Sequence, residues 1–345
     1  MSQLGSENNY NVFDRLPDEI LHSVFSRLND AKSLCASMAV CRRFCSIVPQ
    51  VDDIFLRVPR RKPVIRAHEN GQYWTRIFSK NLLLKSLIIK PLRFISGLMI
   101  KLKAKKEDQY CDCDGCSYHT PNEILKPFGE IRSLHVKIPS YGDENMGSGK
   151  NPDVCTNLLK WKAEFGSQIQ SCVILGAKSC SEISEKLVGE NFCEPDLISD
   201  EELKLRIVWT ISCLIAASAR HELIREIAKE RENMENVVIS DVSDQGKVKM
   251  NRGQIQEMRN SWKKGGDDQV HSLRMKMWYV EKLEVPSMGK VMEGATVVAV
   301  RPSAGGGDGG MEELVAAAFG GDVVGEAVGR LMAASRCYTL EISSF

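Results

Sequence analysis

Four residues within nine positions carry the plainest metal-ligating chemistry in the chain: Cys111, Cys113, Cys116 and His119, in the run CDCDGCSYH. Thiolate and imidazole are the donors of a structural zinc site. Their arrangement argues against one. The first pair is Cys-x-Cys and all four donors fall in one tight loop, whereas structural sites use two separated pairs that clip a fold together. The run reads as an exposed loop insertion, and no metal or cofactor is expected. MGSGKNP (146–152) resembles a phosphate loop only superficially. Glu144 stands where the first glycine belongs, and Asn151 where a hydroxyl must meet the ion. The six histidines (His22, His68, His119, His135, His221 and His271) show no metalloenzyme spacing, and no Gly-x-Ser-x-Gly elbow is present. With no acid/base or nucleophile set, the chain is expected to bind rather than catalyse.

Composition narrows the binding partners. The 345 residues are 43% hydrophobic and 26% charged, with a net charge of +1. That balance suits a globular protein and does not favour nucleic acid as an overall partner. The start, MSQLGSENNY, lacks the charged and apolar regions of a signal peptide. The most apolar run, Ile207–Ala219, is shorter than the roughly 20 residues a bilayer needs. A soluble intracellular protein is expected, with neither membrane nor nucleic acid as partner. Twelve cysteines are scattered through the sequence, and Cys35, Cys172, Cys213 and Cys337 sit in apolar runs. Buried, reduced thiols are the expected state. PRRKP, inside the basic run 57–66, fits a short nuclear-import signal; the alternative is an exposed turn. KLKAKKED (101–108) is a second basic run. Nucleus, cytoplasm or both are the expected locations.

The element most in need of a partner lies near the N-terminus, in FDRLPDEILHSVFSRL. Leu16, Ile20, Leu21, Val24, Phe25 and Leu28 recur at steps of four and one, which places them on one helical face. Pro17 suits a first helical position, and Asp18 and Glu19 meet the positive end of the dipole. Asp30 caps a second short helix carrying Leu34, Cys35 and Met38. A third carries Val40, Phe44, Ile47 and Val48 and stops at Pro49. Three helices in about 37 residues fall below the roughly 40 residues at which a core suffices by itself. Either the rest of the chain covers the surplus apolar surface, or another protein does, by packing helices into it.

The order of these residues resembles an F-box: Leu16, Pro17, Glu19, Ile20, Leu21, Val24, Leu28, Leu34, Val40, Arg42, Arg43 and Phe44 follow the family pattern. Phe44 stands where the family usually has Trp. The resemblance implies docking on a Skp-type adaptor, and through it on a cullin scaffold, by Leu16, Pro17, Glu19, Ile20, Leu21, Val24, Phe25, Leu28, Leu34, Val40, Arg42 and Phe44. It implies a non-catalytic receptor of an SCF-type ubiquitin ligase that raises the local concentration of an unknown protein substrate near the charged conjugating enzyme, for ubiquitination and degradation. The alternative is an adaptor-bound protein with a role in assembly only. WYVEKLEVPSMGKVMEGATVVAVRPS, the terminal YTLEISSF and the join DAKSLCASMAVCRRFCSIVPQVD are similar to plant F-box proteins of the auxin-up-regulated type. That likeness implies a plant protein with a link to hormone-responsive growth.

Beyond Pro49 the chain alternates between strand-like and helical stretches. An apolar-x-x-apolar-x-apolar phrase recurs at 51–56, 84–89, 131–136, 169–174, 234–239, 280–285 and 337–342. This is the strand phrase of a leucine-rich repeat. It predicts an α+β or α/β chain in which a three-helix F-box precedes an irregular, curved repeat-like domain; the alternative is an ordinary α/β sandwich. The expected divisions are a disordered tail at 1–12, the F-box at 13–50, the sheet domain at 51–302, a Gly-rich linker at 303–310, and a helix and strand at 311–345 that close the same domain. Ser199 and Glu202 have capping-box spacing. They open a long buried helix, with Leu223, Ile224 and Ile227 inward and Arg220, Glu222, Arg225 and Glu226 outward.

Overall fold

Capping residues set the first helices where the pattern places them. After a 3-10 turn at Val12–Arg15, α1 runs Asp18–Leu28 directly behind Pro17. α2 (Ala31–Met38) begins at Asp30, whose carboxylate accepts the Ser33 N–H at 2.9 Å. α3 (Arg42–Ile47) passes into a 3-10 turn at Val48–Gln50. The computed structural model describes residues 12–58, 121–139, 158–183, 198–264, 272–303, 310–321, 324–334 and 336–342. The Cys111–His119 cluster, the phosphate-loop-like run and most of both basic runs lie outside them, as do the expected tail (apart from Val12) and positions 304–309 of the linker.

The described strands form one ten-stranded sheet. They are β1 (Asp53–Arg57), β2 (Ser133–Ile138), β3 (Leu158–Phe165), β4 (Ile169–Ala177), β5 (Ser179–Glu182), β6 (Asn236–Asp241), β7 (Gly246–Met250), β8 (Leu273–Val285), β9 (Lys290–Pro302) and β10 (Arg336–Ile342). Their order is β1-β2-β6-β7-β3-β4-β9-β8-β10, with β5 also paired to β9. β1 pairs parallel with β2, β2 with β6 and β3 with β7, and the other pairs are antiparallel.

This order corrects the curved-repeat expectation. Six of the seven repeat phrases fall on strands, and 84–89 lies outside the described residues. Only the phrases on β1, β2 and β6 stack as repeats do, with Ile54, Leu134 and Val237 in one row and Leu56, Val136 and Ile239 in the next. Even their entries match: Ser133 N–H bonds Asp52 O, and Asn236 N–H bonds Arg132 O, at 2.9 Å each. The phrases on β4, β8 and β10 enter antiparallel ladders. Alternating burial is common to both ladder types, so the phrase marks a strand without choosing its partner.

Helices cover the sheet unequally. α4 (Pro121–Leu125), α5 (Asp200–Lys229) and α6 (Arg252–Lys264) lie on one face with the N-terminal helices, and one apolar core runs from Leu21 through Ile54 to Val300. On the opposite face, α7 (Met311–Phe319) and α8 (Gly325–Ala334) bury Val173, Leu175, Trp278, Val297 and Ala299. The single C-terminal helix expected from sequence is therefore two, parted near Gly320. β10 joins the edge at β8, as its apolar residues predict.

The buried helix α5 is present and capped: Ser199 Oγ accepts the Glu202 N–H at 3.3 Å. It is long and apolar enough to cross a membrane by length and composition, and 56% of that apolar window is buried inside the protein. Leu223, Ile224 and Ile227 face inward as expected. Arg220 does not face outward. It is buried, lies 4.4 Å over the Trp161 ring, and donates to Asp241 at 2.9 Å. Among the cysteines, Cys172 and Cys213 are buried and Cys35 partly so, but Cys337 is exposed on the edge strand, which corrects its expected burial.

Candidate functional site

The first three helices hold more apolar surface than they cover. Leu21 and Phe25, from one side of α1, enter the core with Leu34 of α2, Ile47 at the end of α3 and Val48 just beyond it. The core continues without a break into Val51 and Ile54 of the sheet. Polar bonds follow the same path. Phe55 N–H donates to Asn29 O at 2.8 Å, which adds the α1–α2 junction to the edge of β1. α2, α3 and the Val48–Gln50 turn thus cover half of the α1 face, and α2 passes the contact on to β1. Ile20, Val24 and Leu28 form the other half, one turn apart along about 12 Å of helix. They stay exposed, as do Phe13 and Val40, at between 41% (Leu28) and 70% (Val40). Five of the eight large exposed hydrophobic residues among those described lie in this segment. Such clustering, unlike scattered apolar exposure, marks a binding surface.

The twelve residues assigned to docking from sequence divide accordingly. Leu21, Phe25 and Leu34 are buried core, Leu16 and Phe44 are partly buried, and Pro17, Glu19, Ile20, Val24, Leu28, Val40 and Arg42 are exposed. Phe44 supports the surface from beneath: its ring meets Phe25 edge-on at 5.1 Å and Phe13 at 5.9 Å. Two contributors escaped the sequence reading. Phe13 lies outside the repeating α1 spacing, and its only signal is an aromatic beside a short polar turn. Arg43 matches the family pattern, but its task emerges only from the fold. It donates to Asp18 at 2.8 Å, to Phe13 O at 2.9 Å and to Leu16 O, tying the N-terminal turn to α3.

The exposed row can take up a partner by apolar contact. Covering three half-exposed aliphatic side chains is worth up to roughly 2–4 kcal/mol before association costs. Burial, then the nearby Asp30 carboxylate, push the Cys35 thiol up in pKa, so it stays protonated under this surface. No group of three His, Cys, Asp or Glu side chains among the described residues could hold a metal.

A family model described as F-box-like matches residues 13–55, the three helices together with the first residues of β1. The likeness extends over the whole chain. It is 33% identical to F-box protein At4g18380 of Arabidopsis thaliana over 376 residues, covering 96% of this chain and 94% of that protein. The chain belongs to the F-box protein family. It is also 34% identical to F-box protein AUF2 and 32% identical to F-box protein AUF1, both from Arabidopsis thaliana, over 97% of this chain and 99% of each relative. No solved structure matches it. F-box proteins generally act in SCF ubiquitin ligase complexes as substrate adaptors rather than catalysts, and the F-box is their Skp1-binding module. The matched segment ends inside β1, so the family motif already includes the strand that joins the helices to the sheet.

Proposed function

We propose that this chain is the substrate receptor of an SCF-type ubiquitin ligase. Phe13, Pro17, Ile20, Val24, Leu28 and Val40 dock on a Skp-type adaptor, which links the chain to a cullin, while the sheet domain holds a protein destined for ubiquitination and degradation. Leu21, Phe25 and Leu34 act from below by holding the docking side chains in place. The observation that carries the reading is the split apolar face of α1: one half continues the domain core, and the other stays open on the segment that matches the F-box. The likeness to AUF2 and AUF1 supports a role in the auxin response. In pull-down with a purified Skp-type adaptor, Ile20→Asp with Val24→Asp is expected to weaken binding at least a hundredfold, since burying an unpaired carboxylate costs several kcal/mol. Thermal unfolding of the variant stays within a few degrees of wild type because both positions are exposed. Adaptor binding at wild-type strength overturns the reading.

A further inference from the structure

The sheet has one region that the described helices leave open. α7 and α8 cover the outer face over β4, β9 and β8. Across β1, β2, β6 and β7, no described helix lies on that face. Its residues follow from the registers. One row runs Arg57, Lys137, Ser240, Lys247, Lys162, each directly opposite the next on neighbouring strands. The row beside it runs Phe55, His135, Val238, Lys249, Glu164. Five strands at about 4.8 Å spacing make the first row roughly 19 Å long.

Four of its five members are cations. Arg57 faces Lys137 and Lys247 faces Lys162, and like charges directly opposite in a sheet are destabilising. Asp244 approaches Lys137 at 3.6 Å, and Lys162 turns to Ala318 O at 2.7 Å and the Phe319 ring. Among the described residues, Arg57, Lys247 and Lys249 have no ion pair. The centre is ordered: His135 bonds Ser240 Oγ at 2.9 Å, and its ring meets Phe55 edge-on at 5.2 Å.

We infer that this row is a docking groove for an acidic, extended segment of a protein target. The inference names the chemistry of the substrate in the receptor reading above, and rests on it. An extended peptide laid along the row places alternate side chains about 6.6–7 Å apart, so three or four carboxylates match its length and relieve the like-charge pairs. Phe55 and Val238, one row away, receive an apolar neighbour. Nucleic acid fits less well. Among the described residues the face offers the Phe55 ring and the His135 imidazole, set edge-on to each other, instead of a stacking series, and Asp53 and Glu164 flank the cations at its ends.

Fluorescence anisotropy on the full chain tests it, with a fluorescein-labelled (Glu-Ala)4 peptide, its (Gln-Ala)4 counterpart and a single-stranded oligonucleotide as probes. The acidic peptide is expected to bind at low salt and to be released as salt screens the row. Lys137→Glu with Lys247→Glu is expected to weaken it about tenfold or more, by the loss of two surface ion pairs and the added repulsion. The variant melts no lower than wild type, because reversal removes like-charge neighbours; Lys247→Gln alone gives a smaller loss of the same sign. Equal binding of the two peptides, indifference to both variants, or tighter binding of the oligonucleotide overturns the groove. Adaptor capture by the same preparations is read separately: its loss in wild type sinks the receptor reading, whereas the peptide data judge the groove alone.

Discussion

Two buried arginines anchor the central helix, and both depend on specific partners. Arg206 is fully buried, donates to Gly294 O at 3.1 Å, Thr296 Oγ1 at 3.2 Å and Glu202, and lies near the rings of Trp209 and Tyr279. Gly294 has φ +58, and a Cβ there would meet the guanidinium at 2.4 Å, so glycine is required twice over. Arg220 is held by Asp241, which also accepts the Gln245 and Gly246 N–H groups at 2.8 Å. Burial pulls the Arg220 pKa down to about 10, against the pull of Asp241, and leaves the ion charged at neutral pH. Glu202 sits between Lys178 and Arg206. Burial alone would push its pKa up, but the hydrogen bond from Lys178 and the charge of Arg206 outweigh it and hold the carboxyl below its ordinary value. Its contribution is therefore present above the unfolded carboxyl pKa and lost as pH falls through the folded one. Glu202→Gln is expected to cost about 1 kcal/mol at pH 7 after solvent screening, and the difference from wild type closes on acidification below about pH 4. Thermal melts across pH 3–7 check this; a gap that stays constant across the series rejects it.

Among the elements, the N-terminal turn depends most on a single side chain. Arg43→Ala removes the three bonds that hold Phe13, Leu16 and Asp18 against α3. The expected loss is about 1–2 kcal/mol in urea unfolding, with weaker adaptor capture because Phe13 and Pro17 lose their support. Arg43→Lys recovers little of it, since an ammonium cannot reproduce the guanidinium fork. This scale also shows what the sequence disclosed. Caps and strand positions were legible because they depend on near neighbours: Asp30 with Ser33, Ser199 with Glu202, and alternating burial along the strands. Partner choice was not. Val237 and Cys172 lie in the same phrase, but one strand pairs parallel with β2 and the other antiparallel with β3. The partners arrive from distant sequence. Arg220 was misplaced for the same reason, because its counter-ion Asp241 and its platform Trp161 lie on other elements. In the docking segment, spacing identified the apolar face of α1, but only its packing on α2, α3 and the Val48–Gln50 turn decides which half of it remains outside.

In the molecule as a whole, the N-terminal helices and the sheet share one core. Leu21, Phe25, Leu34, Val51 and Ile54 belong to a single core, and the family match crosses the expected boundary at residue 50. A chain beginning at residue 51 would expose Val51, Ile54, Leu56 and the inner side of β1 together. It is expected to lose cooperative unfolding or to aggregate, whereas the full chain gives one transition by circular dichroism. A soluble truncated protein with an unchanged midpoint contradicts this.

The hydrogen bond from Phe55 N–H to Asn29 O has a consequence for aim. It places Arg57, the first cation of the open row, two residues along β1 from the point at which the strand is fastened to the α1–α2 junction. In the proposed receptor, a target gripped there and an adaptor seated on Ile20, Val24 and Leu28 are joined through one continuous core. The proposal then makes presentation a matter of bearing and distance: lysines on the target that point toward the charged enzyme are expected to be modified, and those that point away to be passed over.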